Sequence, residues 1–112
     1  MTDCLFCRIA AGDIPADIVA RTDNVIAFRD IAPKAPVHVL VVPVTHVANV
    51  TEAAAQIPHV LAEMVEVAQQ VADAEAGGEF RMVFNTGPTA GQSVFHAHAH
   101  VLGGAELKWE DA

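Results

Sequence analysis

The spacing of apolar residues along this chain alternates between a helical and a strand period. Residues 4–11 (CLFCRIAA) fit a short helix closed by Gly12. The longest helical pattern runs from Pro58 to Ala76, with apolar side chains at Val60, Leu61, Met64, Val65, Ala68, Val71 and Ala72. These steps of three and four predict an amphipathic helix with Glu63, Glu66, Gln70 and Asp73 on its outer side. Pro58 suits its first turn and Gly77–Gly78 its end, while Thr51 followed by Glu52 marks an earlier helix start. Elsewhere short valine-rich runs predict strands over 17–22, 25–29, 38–43, 80–85 and 94–102. Thr22, Asp23 and Asn24 make a hairpin turn between the first two. Residues 30–37, with Pro33 and Pro36, and residues 86–92 (TGPTAGQ) read as loops. Strands at both ends around one long helix argue for an α+β fold with a mainly antiparallel sheet, against a doubly wound one.

Composition narrows the class. A chain of 112 residues is one domain, spanning 1–112, and 53% hydrophobic content argues against disorder. No run reaches the ~18 apolar residues of a membrane helix. The N-terminal MTDCLFC has neither a basic segment nor a long apolar one, so a signal peptide is not expected and the cytosol is the expected compartment. Fourteen acidic residues against six Lys and Arg give a net charge of −8, which makes long nucleic acids poor candidates as partners. A phosphate would have to be held locally, by backbone N–H groups and side-chain donors.

The chemistry concentrates in His96-Ala97-His98-Ala99-His100. In a strand, alternate residues share a face, so the three imidazoles would stand in a row about 6.6–6.8 Å apart, with Ala97 and Ala99 turned toward the helix. A chance row on an exposed strand is the plain alternative, but histidine is not a favoured strand residue. Imidazoles with a reference pKa of about 6.5 can serve as nucleophile, ligand or proton carrier near neutral pH. Gly91-Gln92-Ser93 directly precedes them and could clamp a phosphate, although such turns are common. Cys4 and Cys7 form a C-x-x-C pair, in a cytosolic chain a metal half-site or a redox pair rather than a disulfide framework. With His46 and His96 they make a Cys₂His₂ set suited to tetrahedral zinc; thiols without metal and redox chemistry remain the alternatives.

The segment G-Q-S-V-F-H-A-H-A-H-V-L-G-G resembles the signature of the histidine-triad (HIT) family, in particular its Hint (histidine triad nucleotide-binding) branch. The upstream F-R-D-I-A-P-K-A-P-V-H-V-L-V-V-P is similar to the same branch, and the likeness runs from Cys4 to about Trp109. The resemblance implies a HIT-like fold whose sheet extends across a homodimer. It implies a purine nucleoside phosphoramidate hydrolase, acting on AMP or GMP derivatives, in which His98 attacks the α-phosphorus to give a nucleotidyl-histidine. His100 and Ser93 would bind the phosphate and assist the leaving group, with Gly91 and Gln92 in the phosphate loop. Asn85 would contact ribose or phosphate, Asp30 the ribose hydroxyls and Ile31 the base. His38 would stand near the triad as a further histidine. Some relatives with an N-terminal C-x-x-C hold a structural zinc at positions matching Cys4, Cys7, His46 and His96. No catalytic metal is required by this scheme, and no membrane partner is implied. Trp109 matches a tail tryptophan that lies near the partner's site, although Glu110 and Asp111 depart from the common ending. The competing functions are a dinucleoside polyphosphate hydrolase, as in the Fhit branch, a nucleotide-binding regulatory module with weak turnover, and a plain zinc scaffold.

Overall fold

Five strands make one antiparallel sheet in the computed structural model, which describes residues 4–111. The outermost positions of the expected domain, 1–3 and 112, lie outside the described residues. The elements are α1 (Leu5–Ala10), β1 (Ile18–Arg21), β2 (Val25–Arg29), β3 (Val37–Pro43), α2 (Val50–Gln56), α3 (Pro58–Glu75), β4 (Arg81–Phe84) and β5 (Ala99–Gly103). The sheet order is β1-β2-β3-β5-β4, all neighbours antiparallel, which is the expected α+β class. No helix among the described residues is long and apolar enough to cross a membrane.

The central strand β3 is buried at every position, because the sheet is covered on both faces. Val37, Val39 and Val41 point with Val25, Ala27, Ala99 and Val101 toward α3, meeting Val60, Met64, Val67, Ala68 and Val71. Leu40 and Val42 point the other way with Ile26 and Phe28, and there Phe6, Ile9 and Ala10 of α1 cover them. Burying each such large aliphatic or aromatic side chain contributes about 1.5–3 kcal/mol, so the two clusters drive the fold. His38 shares the α1 face of β3 with Leu40, and His100 lies opposite Leu40 on β5. The period of two therefore sends the valines to the core and the histidines to the thinly covered face.

Two expectations are corrected here. Val65 is 47% exposed whereas Val67, outside the expected stripe, is 1% exposed. Val67 sits three residues after Met64 and four before Val71, on the stripe's centre line, while Val65 is turned about 100° from Met64. The last strand also begins at Ala99 rather than at residue 94. Its ladder with β3 ends at Val41↔Ala99, near Pro43, which has no N–H to extend it. Upstream, the Ala97 N–H donates instead to Val47 O at 2.7 Å. Residues 94–98 thus bend out of the sheet, and only His100 of the histidine row is a strand residue. Smaller shifts occur at α2, where Asn49 caps the helix by accepting from the Glu52 N–H, so it starts before Thr51. Gly103 allows close approach: a Cβ there would stand 2.9 Å from Glu79 O.

Candidate functional site

The bend at 94–98 parts the three histidines into different environments. His96 is fully buried and turns away from the sheet's open face. Its Nε2 lies 2.7 Å from Pro43 O. A carbonyl oxygen can only accept, so Nε2 carries the proton and the Nδ1 lone pair is left for another partner. That lone pair faces sulfur and nitrogen: Cys4 Sγ at 3.3 Å, Cys7 Sγ at 3.4 Å and His46 Nδ1 at 3.0 Å. Cys7 Sγ is also 3.3 Å from His46 Nδ1. The four ligand atoms lie within 4.8 Å of one another. Zinc at about 2.3 Å from sulfur and about 2.0 Å from nitrogen would space its tetrahedral ligands by roughly 3.3–3.8 Å, so a small outward adjustment of these donors accommodates it. A hydrogen bond from the far ring nitrogen to a backbone carbonyl, as His96 makes to Pro43, is the usual way a protein orients a ligating imidazole. Donor chemistry and geometry both fit a structural metal.

His98 is 8% exposed and its Nδ1 lies 2.8 Å from the carbonyl of His96. This carbonyl too can only accept, so Nδ1 carries the proton and the Nε2 lone pair is left available. The ring of Phe6 meets His98 edge-on, with centroids 5.0 Å apart, and His100 stands on its other side at 5.3 Å. His98 lines a cleft of about 660 Å³ with Leu5, Phe6, Ile9, Phe28 and Leu40, an apolar floor beside a polar rim of Asp30, Ser93 and His100. Gly91 and the fully exposed Ile31 also border it. A larger depression of about 740 Å³ lies at the far end of the sheet, between the C-terminus of α3 and the Gly103–Leu107 segment. It is lined by carboxylates and Arg81, whereas the three histidines and Ser93 gather at or beside the cleft at His98, which is the candidate site.

A third cluster joins loop 30–37 to β3 and β5. The Lys34 N–H donates to His38 Nδ1 at 3.0 Å, which places the His38 proton on Nε2. His38 Nε2 then donates to His100 Nδ1, 3.0 Å away. His100 is thereby left with its proton on Nε2, as a donor. Asp30 Oδ2 stands 3.5 Å from His38 Nε2 and 4.0 Å from His100 Nδ1. Although Asp30, His38 and His100 have the composition of a metal site, the Lys34 amide occupies the His38 lone pair, so this cluster is a hydrogen-bond chain.

Burial, the largest influence on both, lowers the His38 and His100 pKa values from the usual 6.5 despite the opposing pull of Asp30. His96 is lowered as well, first by burial. A depressed histidine resists protonation only in the folded state. Stability is therefore intact above pH 6.5 and declines as the unfolded chain takes up protons that the folded one refuses. Urea titrations should give a lower midpoint at about pH 5.5 than at about pH 7.5; equal midpoints would mean that burial does not hold these rings neutral.

The glycine loop is built differently from its expected role. The N–H groups of Gly91 and Gln92 are engaged inside the loop, at Pro88 O and Gly87 O, 3.1 and 3.0 Å away. They are not aimed outward at an anion. Gln92 is buried and acts as a clamp: its Oε1 accepts from the Gly87 N–H, and its Nε2 donates to Ala48 O and Val94 O. Gly91 takes the left-handed φ of +96° that closes the turn. Asn85 steadies the same loop by donating to Ala90 O at 3.0 Å, and it borders a smaller recess with Asp30, His38 and His100. Ser93 is exposed at the cleft. The apolar floor was not anticipated from sequence. Leu5, Phe6 and Ile9 share a helix side distinct from that of Cys4 and Cys7, a three-and-four spacing that could have flagged it.

An antiparallel sheet with three histidines shared between a thiol–imidazole cluster, a buried imidazole lining a cleft and a hydrogen-bond chain defines a histidine-triad protein. The chain belongs to the HIT domain family, whose domain matches residues 11–107. It is 39% identical over 107 residues to the purine nucleoside phosphoramidase of Escherichia coli K12, covering 94% of this chain and 90% of that one. Among solved structures it resembles a HIT family hydrolase from Legionella pneumophila Philadelphia 1, with 41% identity, TM-score 0.91, and 98% and 100% of the two chains covered. A zinc-bound histidine triad family protein from Mycobacterium smegmatis matches at 34% identity and TM-score 0.80, over 96% and 81% of the chains.

Proposed function

We propose that the protein is a purine nucleoside phosphoramidate hydrolase of the Hint branch, with His98 as nucleophile at the α-phosphorus. The observation that carries this reading is the hydrogen bond from His98 Nδ1 to the His96 carbonyl, which presents a neutral Nε2 lone pair in a ring lining an apolar cleft. The E. coli phosphoramidase supports the substrate class.

The site's own residues supply each step. Base and ribose occupy the cleft, with Ile31 and the Leu5–Phe6–Ile9 side of α1 against the base and the Asp30 carboxylate toward the ribose hydroxyls. His98 Nε2 forms a bond to phosphorus as the P–N bond breaks, the amine leaving with that electron pair and a proton. The imidazolium so formed keeps its Nδ1–H on the His96 carbonyl. Ser93 Oγ–H and His100 Nε2–H are the donors for the phosphoryl oxygens and the leaving amine, in place of the engaged loop amides. Water then attacks phosphorus, releasing His98 and restoring the proton taken by the amine. Asn85, Gly91 and Gln92 hold the loop that carries Ser93. Structural zinc at Cys4, Cys7, His46 and His96 would pin α1 to the bends at 44–49 and 94–98, and a thiolate centre suits the reducing cytosol. The edge strand β4 would pair with that of a second copy, bringing the 90% exposed Trp109 of one subunit toward the site of the other.

The test compares turnover of adenosine 5′-phosphoramidate and of diadenosine tetraphosphate, with intact-mass analysis of quenched reactions. The phosphoramidate should react at least about tenfold faster, with one adenylyl group on the protein. Preference for the dinucleotide would move the protein to the polyphosphate-cleaving branch, and tight AMP binding without turnover would make it a regulatory module. His38→Ala should lower kcat by about 10²-fold, because His100 Nδ1 loses the partner that sets its proton on Nε2. Unchanged kcat would remove His38 from the donor chain.

A further inference from the structure

We infer that Phe6 is a positioning residue through which the Cys4–Cys7–His46–His96 centre reaches the nucleophile, so that metal occupancy and nucleotide affinity are coupled; this rests on the reading of the cleft as a nucleotide site. Helix α1 spans only Leu5–Ala10, too short to hold itself in water. Its anchorage is divided. At one end Cys4 caps the helix, its Sγ accepting from the Cys7 N–H at 3.4 Å, and both thiols meet His96. On the other side Phe6, Ile9 and Ala10 enter the apolar cluster with Ile26, Phe28 and Leu40.

Phe6 stands between the two anchors. Its buried ring meets the ligating His96 at 6.1 Å and 73°, the nucleophilic His98 at 5.0 Å and 83°, and Phe28 at 5.5 Å and 68°. It also belongs to the cleft wall, with Leu5 and Ile9. A second route runs beside it: the residue whose ring is the ligand supplies the carbonyl that orients His98. Packed interiors pass on small displacements rather than absorbing them. Fixing Cys4 and Cys7 against His96 therefore fixes the Phe6 ring, the His98 ring that leans on it and the cleft they line. Releasing the thiols lets α1 shift on its apolar side and widens the ensemble that a nucleotide must select from.

The test uses AMP and divalent metal with the full chain, at a temperature where the stripped protein keeps its far-UV spectrum. Removing zinc from the wild type should weaken AMP binding by about tenfold, and AMP should raise the affinity for zinc by the same factor, since coupling is reciprocal for a given pair of ligands. In Phe6→Leu the cobalt–thiolate absorption should persist, while AMP binds the loaded and stripped forms within about twofold of each other. The wild-type titrations need no variant: equal AMP affinity with and without metal, or no cobalt–thiolate band, overturns the proposal. So does coupling undiminished in Phe6→Leu. AMP that fails to bind even the zinc-loaded wild type would instead bring down the nucleotide reading on which the proposal stands.

Discussion

Replacing His98 with alanine should reduce turnover of adenosine 5′-phosphoramidate by on the order of 10⁴-fold or more, while AMP affinity changes by less than about tenfold. The asymmetry follows from what the ring does. In the proposed reaction its Nε2 lone pair would form the bond to phosphorus, so without it the remaining donors could stabilise charge but would have no nucleophile to assist. In the proposed reading base and ribose would be held by α1, Phe28, Asp30 and Ile31, which line the cleft and which the substitution leaves in place. Single-turnover kinetics should also lose the adenylyl adduct. A variant retaining more than about a tenth of wild-type kcat would show that water attacks phosphorus directly, with His98 at most a binding group.

The second large effect concerns stability. With zinc at the proposed Cys4–Cys7–His46–His96 centre, chelation or Cys4→Ser should lower the thermal midpoint by about 10 °C or more. The donors come from three separate places: the start of α1, the bend at 44–49 and the bend at 94–98. Cys4 and His96 are 92 positions apart. A crosslink closing a loop of that length removes about 4–5 kcal/mol of chain entropy from the unfolded state, on the polymer estimate used for disulfides. Half of that effect suffices for the expected shift in a domain of this size. Calorimetry with and without chelator decides it; an unchanged midpoint would mean that the apolar cluster alone secures α1.

Much of this was legible because it obeys short periods. The valines and the hairpin turn of 17–29 declare their strands, and the stripe from Val60 to Ala72 declares the long helix, apart from the exchange of Val65 for Val67 at its edge. The clustering of Cys4, Cys7, His46 and His96 was legible from residue type, since thiols and imidazoles at this spacing suit a common tetrahedral ion. What escaped was side chain to backbone chemistry across the chain. Nothing local in H-A-H-A-H tells that the Pro43 carbonyl claims one histidine, or that the Val47 carbonyl draws the Ala97 amide out of the ladder. The resemblance sets Gln92 in a phosphate loop, and only the positions of Gly87, Ala48 and Val94 show it to be a clamp. The spacing of Leu5, Phe6 and Ile9 marks an apolar helix side, but the meeting of Phe6 with the rings of Phe28, His96 and His98 depends on residues distant in sequence.

His46 differs from its three companions in one respect: it is exposed, on the bend after β3, whereas His96 is fully buried and the two cysteines are half-covered. A metal held by this set would therefore have a door. Swinging one surface imidazole opens a coordination position to solvent while three donors keep their grip, so an ion could be exchanged with a carrier or a competing thiol without the domain opening. Residence time at the centre would then be governed by the rotamer of a single ring, a clock far faster than unfolding and separable from it.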